Sequence, residues 1–141
     1  RTTLAAFALG AEGVQIGSRF VATPESSAHR AFKERILEAG EGETLLRLKD
    51  LTPVRLLDNP FSKQVAAAEE AGVGVEELRS LLGRGRAKKG MFEGDLNEGE
   101  LEIGQVSGQI KWIQPAASIV EELVAAYQEL TSGMEDPHFR W

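Results

Sequence analysis

The spacing of apolar and polar residues changes along the chain, and each change marks an element. Thr2 or Thr3 caps a short helix from Leu4 to Leu9. Gly10 closes it, since a residue without Cβ suits the left-handed position after a helix. Val14 to Ile16 is β-rich and bounded by Gly13 and Gly17, which predicts a short buried strand. A helix closing directly onto a strand is the αβ step of a parallel α/β fold. Thr23-Pro24 carries an N-cap and a first-turn proline. Ala28, Phe32 and Ile36 then recur at i, i+4, i+8 as one helical stripe, ended by Gly40. Leu46 and Leu48 alternate with Arg47 and Lys49, so Thr44 to Lys49 reads as a strand or an irregular loop.

Asn59-Pro60 repeats the cap-plus-proline pattern and opens a helix to about Ala71, stopped by Gly72. Glu76 to Leu82 is a shorter helix closed by Gly83. Seven glycines between positions 83 and 108 predict loop with one further short helix. Gln114-Pro115 opens the last helix, with the stripe Ile119, Leu123, Tyr127 and Leu130 and an end at Ser132-Gly133; Met134 to Trp141 is a tail. No repeat recurs at a fixed period. One strand cannot make a sheet, and the chain opens on Arg1 rather than Met. The expectation is a piece of a longer α/β polypeptide.

Composition narrows the class. The chain has 141 residues, 42% hydrophobic and 27% charged, an ordinary globular balance and too apolar for a disordered tail. No apolar run approaches the ~20 residues of a membrane helix, and no signal-peptide pattern is present. The absence of cysteine excludes disulfides, thiolate metal sites and Cys nucleophiles, and fits a cytoplasmic location. A net charge of −6 argues against a dedicated nucleic-acid binder.

Several local motifs carry candidate chemistry. Gly17-Ser18 follows the expected strand; its backbone N–H groups and hydroxyl suit a phosphate, or form a plain tight turn. His29 is a proton carrier or ligand, or a partly buried histidine bonding a neighbouring carbonyl. Arg84, Arg86, Lys88 and Lys89 form either a receptor for a phosphate-bearing cofactor or acidic partner, or a solvated basic loop. Asp95, Glu98, Glu100 and Glu102 fail as a calcium loop, because the sixth and twelfth positions hold Glu100 and Val106. They remain a paired-carboxylate site or an exposed acidic turn. Gly104-Gln105-Val106-Ser107-Gly108 suits backbone pressed against a planar ligand, or an irregular loop. There is no Ser-His-Asp arrangement, Walker loop or G-x-G-x-x-G fingerprint.

The run Leu4-Ala5-Ala6-Phe7-Ala8-Leu9-Gly10-Ala11-Glu12-Gly13-Val14-Gln15-Ile16-Gly17-Ser18-Arg19-Phe20 resembles the seventh helix and eighth strand of the nitronate monooxygenase family, formerly 2-nitropropane dioxygenase, which includes flavin-dependent enoyl-ACP reductases. The likeness continues through Glu25, Ser26, Ala28-His29 and Phe32-Lys33-Glu34. It returns at Val54-Arg55 with Asn59, Gly94-Asp95 with Gly99, Gly104-Gln105, and Pro115-Ala116-Ala117. The resemblance implies the C-terminal portion of a (β/α)8 TIM barrel, mostly helical as it stands. Residues 1–40 would carry the last helix, strand and helix units with the phosphate site, and residues 41–141 a helical and loop extension.

It also implies FMN as cofactor, with NAD(P)H as electron donor in the reductase branch. Gly17 and Ser18 stand where the family has a Gly-Thr pair on the FMN phosphate, Ser keeping the hydroxyl. Gln105 stands in the segment over the barrel mouth near the flavin, and His29 in an Ala-His motif of structural role. The family's catalytic histidine and the other half of its phosphate cradle fall upstream of Arg1, so no catalytic residue is expected here. The implied activity is oxidation of alkyl nitronates by O2; the alternatives are NAD(P)H-dependent enoyl-ACP reduction and, from another class, a non-catalytic helical protein-binding module. Expected partners are a nitronate or enoyl thioester and the remainder of the barrel, with a homodimer as one candidate assembly and neither nucleic acid nor membrane.

Overall fold

A computed structural model describes residues 1–134. The predicted stretch from Met134 and His138 lies outside the described residues except for Met134 itself. Among the described residues, three α-helices precede two consecutive strands and three follow them: α1 (Thr2–Ala8), α2 (Ser18–Val21), α3 (Arg30–Glu38), β1 (Thr44–Arg47), β2 (Val54–Leu57), α4 (Pro60–Glu70), α5 (Val75–Leu82) and α6 (Ala116–Met134). A π-helical turn at Lys88–Phe92 and a 3-10 turn at Gln105–Gln109 fill the glycine-rich region. None of the described helices is long and apolar enough to cross a membrane.

β1 and β2 pair antiparallel, with Thr44 opposite Leu57 and Leu46 opposite Arg55. Residues 101–103 extend this ribbon: Leu57 N–H donates to Leu101 O and Ile103 N–H to Arg55 O, at 3.0 and 3.1 Å. β2 side chains alternate, so consecutive leucines enter different cores. Leu57 joins Phe32, Ile36, Leu101, Ile103 and Ile110. Leu56 joins Leu48, Phe61, Val65 and Leu78.

The expected buried strand at Val14–Ile16 is corrected. The segment has no regular structure and pairs with no strand among the described residues, and Val14 is 44% exposed. A strand needs a neighbour for its N–H and C=O groups, and none lies beside it. The helix expected from Thr23-Pro24 also starts later. Thr23 Oγ1 accepts from Ser26 N–H and donates to Phe20 O, closing a turn instead. α3 begins after His29, yet the predicted stripe survives: Phe32 and Ile36 are fully buried, with Ala28 packed against them. In the 44–49 segment Leu48 is buried as the alternation predicts, whereas Leu46 is 40% exposed. Leu48 leaves the strand with φ +54°.

Asn59 organises the junction of these parts. Its Oδ1 accepts from Ser62 N–H at 2.8 Å and its own N–H donates to Ser62 Oγ, a complete capping box for α4. Its Nδ2 donates to Leu96 O and Gly99 O, at 3.0 and 2.8 Å. Gly99 lies so close to the Gly90 backbone that any Cβ would overlap it.

Candidate functional site

The irregular segment after α1 delivers Gly17 and Ser18 to the start of α2. Gly17 has φ −103°, and a Cβ there would meet nothing within 4 Å, so its outer face is open to an approaching group. Ser18 Oγ accepts from Gly104 N–H at 3.0 Å across 86 residues of sequence. A Cβ on Gly104 would sit 2.6 Å from that oxygen, so glycine is what permits the contact. With the oxygen accepting from Gly104, the hydroxyl proton is free to donate outward. Arg19 Nη1 donates to Trp112 O beside it.

A shallow groove of about 430 Å³ opens here, between Gly17-Ser18, Pro53 to Arg55 and Glu102 to Gly104. Gly104 lines it; Gln105 does not, standing exposed as the first residue of the 3-10 turn. Val106 and Gln109 of that turn are exposed as well, while Ser107 and Gly108 face the chain's own interior. Ser107 is fully buried, and a Cβ on Gly108 would meet the Gly40 carbonyl at 2.9 Å. The surface expected to press against a planar ligand is thus, from 107 on, a packing surface.

The other sequence candidates separate. His29 is exposed rather than half-buried. It caps α3 with Nδ1 accepting from Ala31 N–H, while its backbone N–H donates to Met91 O at 2.7 Å. The basic run disperses: Lys88 pairs with Glu93 at 3.0 Å, Lys89 with Asp95 at 3.2 Å, and Arg86 with Glu98 at 3.0 Å. Arg86 also lies over the Phe61 ring, 4.6 Å from its centre, and donates to the Leu81, Leu82 and Glu98 carbonyls. It is a structural clamp rather than a cofactor contact.

The acidic run is not a uniformly exposed turn. Asp95 caps it by accepting from Asn97 and Glu98 N–H, and these bonds together with Lys89 hold its carboxyl below the usual range. Glu100 is only 6% exposed. Burial, reinforced by the negative charge of Glu102 and opposed by Arg86, pushes its pKa up to about 7. No cluster among the described residues could hold a metal ion.

Pro53 and Arg55 line the groove without having been singled out as site residues, and Glu102 of the acidic run lines it too. The signal for both was the β-rich stretch after Pro53, which makes a strand and carries Arg55 to the groove.

The family model for nitronate monooxygenase matches residues 1–126. A probable nitronate monooxygenase of Bacillus subtilis (strain 168) is 54% identical over 46 residues, which is 33% of this chain and 13% of that protein. FabK from Thermotoga maritima is 35% identical with a TM-score of 0.83, over 92% of this chain and 41% of FabK. A point mutant of that FabK matches at 32% identity and a TM-score of 0.76, over 94% and 39% of the two chains. The chain thus spans about two fifths of the solved structures it matches. The fold is accordingly that of part of a TIM barrel, with helices prevailing over strands. By the extent of the family match, the chain belongs to the nitronate monooxygenase family.

Proposed function

We propose that the protein is an FMN-dependent oxidoreductase that oxidises alkyl nitronates with O2, and that Gly17 and Ser18 hold the FMN phosphate. The observation that carries this reading is the Ser18–Gly104 bond, which leaves the Ser18 proton and the open face of Gly17 directed to one groove. These residues fit a phosphate: an unhindered glycine backbone, a hydroxyl with a proton to give, and an arginine in the lining of the same groove. FMN would supply the redox chemistry when bound, and this chain would bind and orient it. Gly104 keeps Ser18 in place, and Gln105, one residue on, is the side chain available to the flavin end. No residue of this chain is assigned a bond-making role.

A second substrate reading, NAD(P)H-dependent reduction of an enoyl thioester, is favoured by the likeness to FabK at 35% identity. The two readings share the phosphate site and differ in substrate. Anaerobic bleaching of the flavin by an alkyl nitronate supports the first; NAD(P)H consumption driven by crotonyl thioester supports the second.

The shared site is tested on the full-length protein. It is expected to purify yellow with flavin bands. Ser18→Asp places a carboxylate against the phosphate and is expected to lower FMN affinity by about 10²-fold or more, roughly 3 kcal/mol. A colourless protein that takes up no FMN, or an Ser18→Asp variant that binds FMN undiminished, refutes the proposal.

A further inference from the structure

Five arginines are half-buried among the described residues. Arg35, Arg47 and Arg86 each lie within 4 Å of a carboxylate, Glu43, Glu69 and Glu98 respectively. The other two, Arg19 and Arg55, have no ion pair among the described residues. Arg19 donates to Trp112 O and does not line the groove of Gly17 and Ser18. Arg55 Nη1 donates to Thr44 O at 2.8 Å, across the ribbon, with Thr44 Oγ1 at 3.5 Å. Its Nε and Nη2 donate to nothing among the described residues. The backbone of Arg55 is fixed on both sides, by Leu46 in β1 and by the N–H of Ile103. Pro53, two residues earlier, restricts the entry to the strand. The guanidinium is therefore held by rigid neighbours with most of its donor fork unused, and the residue lines the groove that also holds Gly17 and Ser18. The other charged residue of that groove is Glu102, which does not approach Arg55 within 4 Å.

A partly desolvated cation without a counterion favours an anion beside it. Arginine's planar fork matches two oxygens of a phosphate monoester, which a single hydroxyl and backbone amides cannot neutralise. We infer that Arg55 is the charge-bearing ligand of the phosphate monoester held at Gly17 and Ser18, so that β2 and not the barrel segment alone sets preference for a phosphorylated flavin. This rests on the phosphate site of the proposed function and adds a residue from a different part of the fold.

The test compares two flavins that differ only in the phosphate. Apo full-length protein is titrated with FMN and with riboflavin by flavin fluorescence, for the natural sequence, Arg55→Met and Arg55→Lys. Arg55→Met is expected to weaken FMN 10- to 100-fold and to leave riboflavin within about twofold. Arg55→Lys is expected to restore part of the FMN loss, since it keeps the charge but not the fork. Equal losses for both flavins would show a folding defect or a ring contact and would overturn the inference. So would unchanged FMN affinity, or a lysine variant no better than methionine.

A third titration, NADPH against NADH, separates phosphate sources; a loss confined to NADPH also overturns the assignment to FMN. Ser18→Asp is run in parallel. If it abolishes FMN discrimination while Arg55→Met does not, the phosphate site stands and Arg55 is excluded from it. If Ser18→Asp has no effect, the site itself fails.

Discussion

Replacing Asn59 by alanine removes three hydrogen bonds of one side chain at a site only 7% exposed. Loss of the cap on Ser62 N–H costs about 1 kcal/mol. The carbonyls of Leu96 and Gly99 then lose their partner where water reaches them poorly, at about 1–1.5 kcal/mol each. The sum is roughly 3–4 kcal/mol, a large share of the ~5–15 kcal/mol of a typical domain. With an m-value of about 2 kcal/mol/M, the urea midpoint followed by far-UV circular dichroism falls by about 1.5–2 M. Asn59→Asp sharpens the test. It keeps the capping oxygen but turns a carboxylate oxygen toward the two carbonyls, so at pH 7 it should be no more stable than the alanine variant. Near pH 3 its protonated carboxyl can donate to one of them and recover part of the loss. An aspartate variant with unchanged stability at pH 7 would refute the donor role of Nδ2 and, with it, the account of how the 96–99 turn is tied to α4.

Three further outcomes follow from the packing. Glu100, with its carboxyl raised from 4.5 to about 7, binds its proton more tightly folded than unfolded, so its contribution weakens stability as pH rises from about 4.5 to 7. At 1.36 kcal/mol per pH unit this amounts to roughly 3 kcal/mol, and Glu100→Gln should remove the decline and raise the melting temperature at pH 8. Gly99→Ala drives a methyl into the Gly90 backbone and the Asp95 carbonyl, none of which can rotate away, and should cost about 3 kcal/mol in urea unfolding; Gly13→Ala, with open space around it, should stay within about 1 kcal/mol. Both carboxylate oxygens of Glu25 accept from Ala116 N–H, at 3.1 and 3.2 Å, at the start of α6, so Glu25→Ala should lower stability by about 1 kcal/mol and Glu25→Gln by less, read as a drop in melting temperature.

What could be read ahead of the structure was local. Asn59-Pro60 encodes its own cap and first turn, and α4 begins where that pair places it. Gly83 closes α5 as expected, with φ +64°. Thr23-Pro24 misled because its hydroxyl finds Ser26 N–H within a turn, and the true start of α3 is fixed by a bond from His29 to Met91, 62 residues on. β2 and the 101–103 segment escaped notice because four- and three-residue strands carry too little alternation to identify, and their pairing spans more than forty residues. Glu100 could not be told from its acidic neighbours, since its burial comes from packing and not from its type. At the candidate site, glycine followed by serine after a β-rich run pointed to an anion, but the contact with Gly104 and the approach of Arg55 belong to tertiary structure. Family resemblance supplied Gly104 and Val54-Arg55 as positions without supplying what they touch.

The division of β2 between Leu56 and Leu57 has a consequence for how the molecule opens. One short ribbon joins two oil drops, and α5 enters the second through a single buried residue, Leu78. Amide protons of α5 should therefore exchange through a partial opening that leaves α3 and the 101–110 segment protected. A protease cutting near Gly72 or Gly83 would trap that half-open form while Ser18 stays bonded to Gly104.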